Sequence, residues 1–90
     1  MPRPRRESPA DLVDGWPAGE ASTPEAEVAR LIVLDLRAGI AEHGVRGFAE
    51  LVGMNHATLL AVSAGRTWPS LQLIVGMERA LGRAVWPRPV

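Results

Sequence analysis

The stretch from Phe48 to Ser70, FAELVGMNHATLLAVSAGRTWPS, constrains the fold more than any other part of the chain. Two short apolar helical patterns flank Gly53, which predicts a helix end, because glycine takes the left-handed C-terminal cap without a Cβ penalty. Asn55 follows, and its side-chain oxygen can accept a free backbone N–H at the next helix start. Gly65 gives a second stop signal. The pattern predicts a helix-turn-helix followed by a supporting helix.

The apolar spacing predicts which faces of these helices are buried. One stripe contains Phe48, Ala49 and Val52, and a second contains Met54, Leu59 and Val62. The second helix of the motif, about residues 55–63, is expected to turn Leu59 and Val62 inward. Its outward-facing residues are then Asn55, His56, Ala57, Leu60 and Ala61.

Helices are also predicted on both sides of the motif. A first helix should start at Ser22 or Thr23, either of which can cap it, and run to about Glu42. Its expected apolar residues are Val28, Leu31, Ile32, Leu34, Leu36 and Ile40. A last helix is predicted over 71–81, with a possible further turn over 83–86 in which Trp86 closes the core. The expected class is all-α, with four to five helices.

Residues 1–22 are expected to form a disordered tail, Pro/Arg-rich and then acidic, with the domain spanning 23–90. The segment has few large apolar groups, so it cannot bury enough surface to offset the entropy of ordering. Its arginines are either solvated or an arm for DNA phosphates or the minor groove. Leu12, Val13 and Trp16 are its only candidates for docking on the domain.

Composition excludes several classes of protein. The chain has no cysteine, which removes disulfides, thiolate zinc sites and thiol nucleophiles and fits a reducing cytoplasm. No apolar run approaches the ~20 residues of a membrane span. His43 and His56 lack the spacing of a zinc site, and neither Ser63 nor Ser70 has a His/Asp partner by spacing. We therefore expect no catalysis, no metal and no cofactor.

Net charge is zero, but the charges are unevenly distributed. Residues 7–27 carry only acids, whereas from Val28 onward seven arginines face four acids. The folding part is therefore mildly basic, which permits nucleic-acid binding without indicating it.

Over roughly 28–86, the chain resembles the Cro and lambda-repressor-like helix-turn-helix regulators of the xenobiotic-response-element type. The residues that carry the resemblance are Phe48, Ala49, Gly53, Met54, Asn55, Thr58, Leu59, Val62, Gly65, Pro69, Ser70, Leu71, Ala80, Leu81 and Gly82. The family usually caps the helix before the turn with serine or threonine and follows the cap with a phosphate-binding glutamine. Here those positions are Gly44 and Val45, and Arg46 is the neighbouring residue available for a phosphate.

The resemblance implies sequence-specific binding of double-stranded DNA by a cytoplasmic, nucleoid-associated regulator. The positions that match the family's base-reading residues are Asn55, His56, Ala57, Leu60 and Ala61. The positions suited to phosphates are Arg46, Thr58, Arg66 and Thr67. A homodimer is expected because one domain reads only a half-site. Its contacts are expected from Leu81, Val85, Trp86 and Val90.

Other interpretations of these residues remain open. Asn55 can be only a helix cap, and His56 can be an ordinary surface residue. Trp68 is expected as a lid on the core rather than a base-stacking group. The outer face formed by Ala57, Leu60 and Ala61 is apolar, so a protein partner can also cover it. The alternative function is therefore an interaction module, antitoxin-like or cofactor-like, whose helix-turn-helix reads DNA weakly or not at all.

Overall fold

A computed structural model describes residues 7–87, and in that range the chain forms four α-helices and no β-strand. They are α1 (Pro24–His43), α2 (Val45–Val52), α3 (His56–Ser63) and α4 (Leu71–Leu81). A short 3₁₀ helix, Pro9–Leu12, precedes them. The predicted all-α class is confirmed, with α2 and α3 forming a helix-turn-helix inside a single compact domain.

The predicted helix ends agree closely with the structure because local caps set them. Gly53 ends α2 in the left-handed conformation, at φ 82°. Ser70 Oγ accepts from Leu73 N at 3.1 Å and so starts α4. Thr23 caps α1 by accepting from Ala26 N at 3.2 Å. Ser22 is not the cap, because its hydroxyl instead donates to Leu12 O at 3.0 Å.

The core lies between the four helices, and it includes the apolar residues predicted for the motif. Phe48, Leu59 and Val62 are buried, which confirms the predicted rotation of α2 and α3. The expected apolar side of α1 was partly wrong, since Leu34 is exposed and Val33 is fully buried. The other buried members of the core cluster are Ile32, Leu36, Ala49, Val52, Leu73, Ile74, Met77 and Val85.

The prediction of a disordered tail is wrong for residues 7–22, because these residues fold onto the domain. Pro9 and Val13 are buried, and Val13 forms an isolated antiparallel bridge with Ala21. Asp14 N donates to Glu20 O at 3.1 Å, which closes the intervening loop. The expectation for residues 1–6, including their arginines, lies outside the described residues.

Trp16 explains why so few apolar residues are enough to fix this segment. Its indole Nε1 donates to Ser63 O at 2.9 Å, at the C-terminal end of α3. The ring lies on Gly65, where an added Cβ would come within 2.7 Å of Trp16 Cε2. Ala10 N also donates to Gly65 O at 3.0 Å. Because Gly65 has no side chain, the N-terminal segment can pack directly against it. Sequence patterning does not reveal this long-range contact.

The C-terminal segment also differs from expectation. No helix follows Gly82 in the described part of the chain, and Glu78 Oε2 accepts from Val85 N at 2.9 Å and from Trp86 N at 3.3 Å. Val85, only 4% exposed, closes the core, whereas Trp86 is 50% exposed. The prediction that Trp86 closes the core is therefore wrong, because Val85 takes that place in a segment held by two backbone hydrogen bonds to the Glu78 carboxylate.

Candidate nucleic-acid interface

The turn between α2 and α3 determines which side chains of α3 face solvent. Gly53 N and Met54 N both donate to Ala49 O, at 2.8 and 3.0 Å, which fixes the direction in which the chain leaves α2. Leu59 and Val62 are buried beneath α3. Their burial leaves the predicted outer positions on the opposite side, where Ala57 and Leu60 are exposed and His56 and Ala61 are partly buried.

Asn55 is a helix cap in this structure. Its side-chain Oδ1 accepts from Ala57 N at 2.7 Å, so the cap interpretation is confirmed. The residue is also exposed. Because the side-chain carbonyl accepts the cap hydrogen bond, the amide NH₂ is the group of Asn55 that remains available as a donor. Base reading by Asn55 stays a prediction, and it has to be compatible with the cap.

Two exposed arginines, one in α2 and one just after α3, have guanidinium groups that are available for phosphates. Arg46 is exposed in the first turn of α2, and Arg66 is exposed just after α3. Within residues 7–87 the guanidinium group of neither arginine forms a hydrogen bond or ion pair, and Arg66 is bonded only through its backbone N, which donates to Ala61 O at 3.0 Å. The Gly44 cap of α2 supplies no side-chain acceptor, so the first backbone N–H groups of α2 are also open to an anion. Thr67 is exposed and Thr58 partly buried near the same edge.

Other arginines of the described chain are engaged elsewhere. Arg30 Nη2 pairs with Glu27 Oε2 at 2.7 Å, and this hydrogen bond holds the pKa of the Glu27 carboxyl below its ordinary value. Arg83 pairs with Asp35 at 3.0 Å. The Arg30–Glu27 pair follows from its i, i+3 spacing on α1, but only the tertiary structure shows that Arg83 is paired and that Arg46 and Arg66 are not.

The interface is not purely basic. Glu50 is exposed on α2 four residues after Arg46, which places the two side chains on the same side of the helix. No ion pair joins them. The carboxylate nevertheless offsets part of the positive potential that Arg46 supplies. The surface is therefore one of moderate charge with an apolar centre.

Sequence reasoning missed one residue at the edge of this surface. Arg37 of α1 donates to Ser63 O at 2.8 Å and to Ser63 Oγ at 3.2 Å, beside the hydrogen bond from Trp16. These two side chains satisfy a carbonyl at the C-terminal end of α3. No local signal marks either contact, because the partners are separated by 26 and 47 residues.

Comparison with protein-family models, curated proteins and solved structures found no match for this chain. Within residues 7–87 no group of three or more His, Cys, Asp or Glu side chains is arranged to hold a metal ion. None of the helices described is long and apolar enough to cross a membrane.

Proposed function

We propose that the chain binds double-stranded DNA sequence-specifically as a transcriptional regulator, with α3 in the major groove. The observation that carries the proposal is an exposed α3 face of fixed rotation, together with two exposed arginines without side-chain partners in the described residues, Arg46 at the start of α2 and Arg66 just after α3. A recognition helix in this motif enters the groove near its N-terminus while the preceding helix crosses the backbone. The resemblance to the Cro and lambda-repressor-like regulators supports the same assignment, and it would place the protein at the nucleoid in the cytoplasm.

The proposed division of work follows from side-chain chemistry. His56 can donate to guanine N7 or O6, and the amide of Asn55 can donate to an acceptor on a base edge. Ala57, Leu60 and Ala61 offer only apolar contact, for which a thymine methyl group is the matching partner. Arg46, Thr58, Arg66 and Thr67 would hold phosphates, which position the domain without reading sequence. With so few polar readers, discrimination between sites should be modest.

Dimerisation is part of the proposal, but the expected contact surface changes. Val85 is buried and therefore unavailable, and Val90 lies outside the described residues. Three exposed apolar side chains, those of Leu51, Leu71 and Val75, line a groove between α2 and α4, and Leu71 is 74% exposed. An α4 surface of this kind is better suited to a second copy than the C-terminal segment, because it offers a contiguous apolar area.

The first experiment is a binding-site selection from random duplex DNA at two salt concentrations, followed by titrations of variants on the selected site. Arg66→Ala should weaken binding to all duplexes similarly and reduce the salt slope by about one unit. His56→Ala should lose about 1–3 kcal/mol on the selected site but little on random DNA. Arg83→Ala, which removes an exposed arginine that pairs with Asp35 and lies outside both α3 and the groove between α2 and α4, is the matched control.

A protein-interaction module is the second candidate, and one observation favours it. Leu60 is 45% exposed at the centre of the α3 face, between Ala57 and Ala61, and α3 carries no acidic or basic residue other than His56. Association through such a face should depend little on salt, unlike DNA binding. If wild type shows no salt-dependent DNA binding while Leu60→Asp abolishes a protein complex, the DNA proposal fails and this one replaces it.

A further inference from the structure

An apolar cleft lies away from the α3 outer face, where the start of α1, the loop after α3 and the C-terminal segment meet. Its volume is about 280 Å³. The walls include Pro24, Val28 and Pro69, together with the indoles of Trp68 and Trp86. The size suits a small ligand rather than a peptide segment, since pockets for drug-sized ligands begin near 300 Å³.

Both indoles belong to backbone segments that are fixed by hydrogen bonds. Trp68 Nε1 donates to Glu7 O at 3.1 Å, which orients the ring. Trp86 N donates to Glu78 Oε2 at 3.3 Å, beside the stronger bond from Val85 N. Trp86 is nevertheless 50% exposed. Its segment is thus fixed while the ring keeps open surface, and a preformed wall lowers the ordering cost of binding.

The charge at the cleft indicates the class of ligand. Glu25 is the only ionisable residue among those lining it, and it has no hydrogen-bond or ion-pair partner within residues 7–87. Glu27, two residues later, is neutralised by Arg30. The N-terminus of α1 opposes a cation with roughly half a positive charge, but the full negative charge of Glu25 exceeds it. Aromatic rings beside an unneutralised carboxylate are the surroundings that favour an organic cation.

We propose that this cleft binds a small organic cation, a quaternary or alkylated ammonium group, in contact with Trp68 and Trp86 and with its charge toward Glu25. The inference is independent of DNA binding, since none of these residues belongs to the proposed DNA interface. Cation binding would give a reason for the half-exposed indole of Trp86, which packing alone does not explain.

The test compares two probes that differ in one atom, choline and its neutral carbon analogue 3,3-dimethylbutan-1-ol. Each is titrated into the full chain while the indole N–H signals are followed by ¹H–¹⁵N NMR. Trp68 and Trp86 should shift saturably, whereas Trp16, which does not line the cleft, serves as the internal reference. Choline should bind about 5- to 30-fold more tightly than the alcohol, the range expected for one or two cation–π contacts.

Variants separate the charge contribution from the aromatic one. Glu25→Gln should weaken choline binding several-fold and leave the affinity for the alcohol unchanged. Trp86→Ala should abolish saturable choline binding and Trp86→Phe should retain a weaker site, with circular dichroism confirming that both stay folded. Leu34→Ala, at an exposed apolar residue outside the cleft, is the control and should bind like wild type.

Three results would overturn the proposal. Equal affinities for choline and the alcohol would mean a non-specific apolar cleft. Shifts of Trp16 that match those of Trp68 and Trp86 would mean general solvent effects. Absence of any saturable shift would mean that no site for such cations exists here.

Discussion

Gly39 lies in the middle of α1 and faces the ring of Phe48, and this contact gives the sharpest stability prediction. Helix propensity alone predicts that Gly39→Ala stabilises the protein by about 1 kcal/mol, since glycine is the poorer helix former. The structure predicts the opposite sign. A Cβ at residue 39 would lie 2.6 Å from Phe48 Cε1 and Cε2. Carbon atoms in favourable contact are about 3.5–4.0 Å apart, so the ring would have to move by about 1 Å.

Phe48 has no space into which it can move. It is 0% exposed and packs inside the core cluster, so its displacement has to shift neighbouring side chains. Overpacking of this kind costs about 1–3 kcal/mol, and the complete burial of Phe48 places this site near the upper end. After subtraction of the propensity gain, we expect a net destabilisation of about 2 kcal/mol.

Gly47→Ala is the matched control within the same fold. Gly47 lies in α2, next to Phe48 in the chain, but a Cβ there meets only His43 Cβ at 3.7 Å, an ordinary contact. This variant should gain about 0.5–1 kcal/mol. For a domain of this size each kcal/mol corresponds to about 4–8 °C in Tm. We therefore expect Gly39→Ala to melt about 8–16 °C below wild type and Gly47→Ala a few degrees above it.

Thermal unfolding and urea unfolding, both followed by circular dichroism at 222 nm, measure the Tm and the free energy of unfolding of the two variants. Phe48→Leu provides a further check, because a smaller side chain at residue 48 should relieve part of the clash. The double variant with Gly39→Ala should then be less destabilised than the sum of the single variants by at least about 0.5 kcal/mol. If Gly39→Ala is as stable as Gly47→Ala, or more so, the packing of α1 on α2 described above is wrong.

Two further predictions concern the N-terminal segment and pH. Trp16→Ala should cost about 2 kcal/mol of stability, because it removes a partly buried indole and its hydrogen bond. In this variant the amides of Ala10 and Asp14 should lose hydrogen-exchange protection while those of α4 keep theirs. If these two amides are already unprotected in wild type, the prediction of a disordered tail is restored. The pKa of Glu27, lowered by Arg30, should return toward its ordinary value in Arg30→Met, as measured by carboxyl NMR titration. The pKa of Glu27 is lower in the folded than in the unfolded state, so the small stabilisation from the pair should be present above the unfolded-state pKa and disappear as pH falls through the folded-state pKa. An unchanged Glu27 pKa in Arg30→Met would contradict the assignment of the shift to Arg30.

The sequence by itself determined the four α-helices and where they end. Gly53, Asn55 and Ser70 act through atoms within four residues of themselves, so their capping roles can be read without knowledge of the fold. The same holds for the buried face of α3, because apolar spacing fixes which side of a short helix needs a partner. The candidate reading and phosphate residues were placed on the surface by this reasoning, although their role in DNA binding stays a prediction.

Only the tertiary structure decided how the ends of the chain are used. Trp16 meets Ser63 across 47 positions, and Gly65 accepts it because a side chain is missing there. Likewise, the carboxylate of Glu78 determines that Val85 rather than Trp86 enters the core. Contacts of this kind depend on the shape of a distant surface, and no local periodicity or cap encodes that shape. Local hydrogen bonding therefore fixed the helices, whereas long-range packing fixed what covers them.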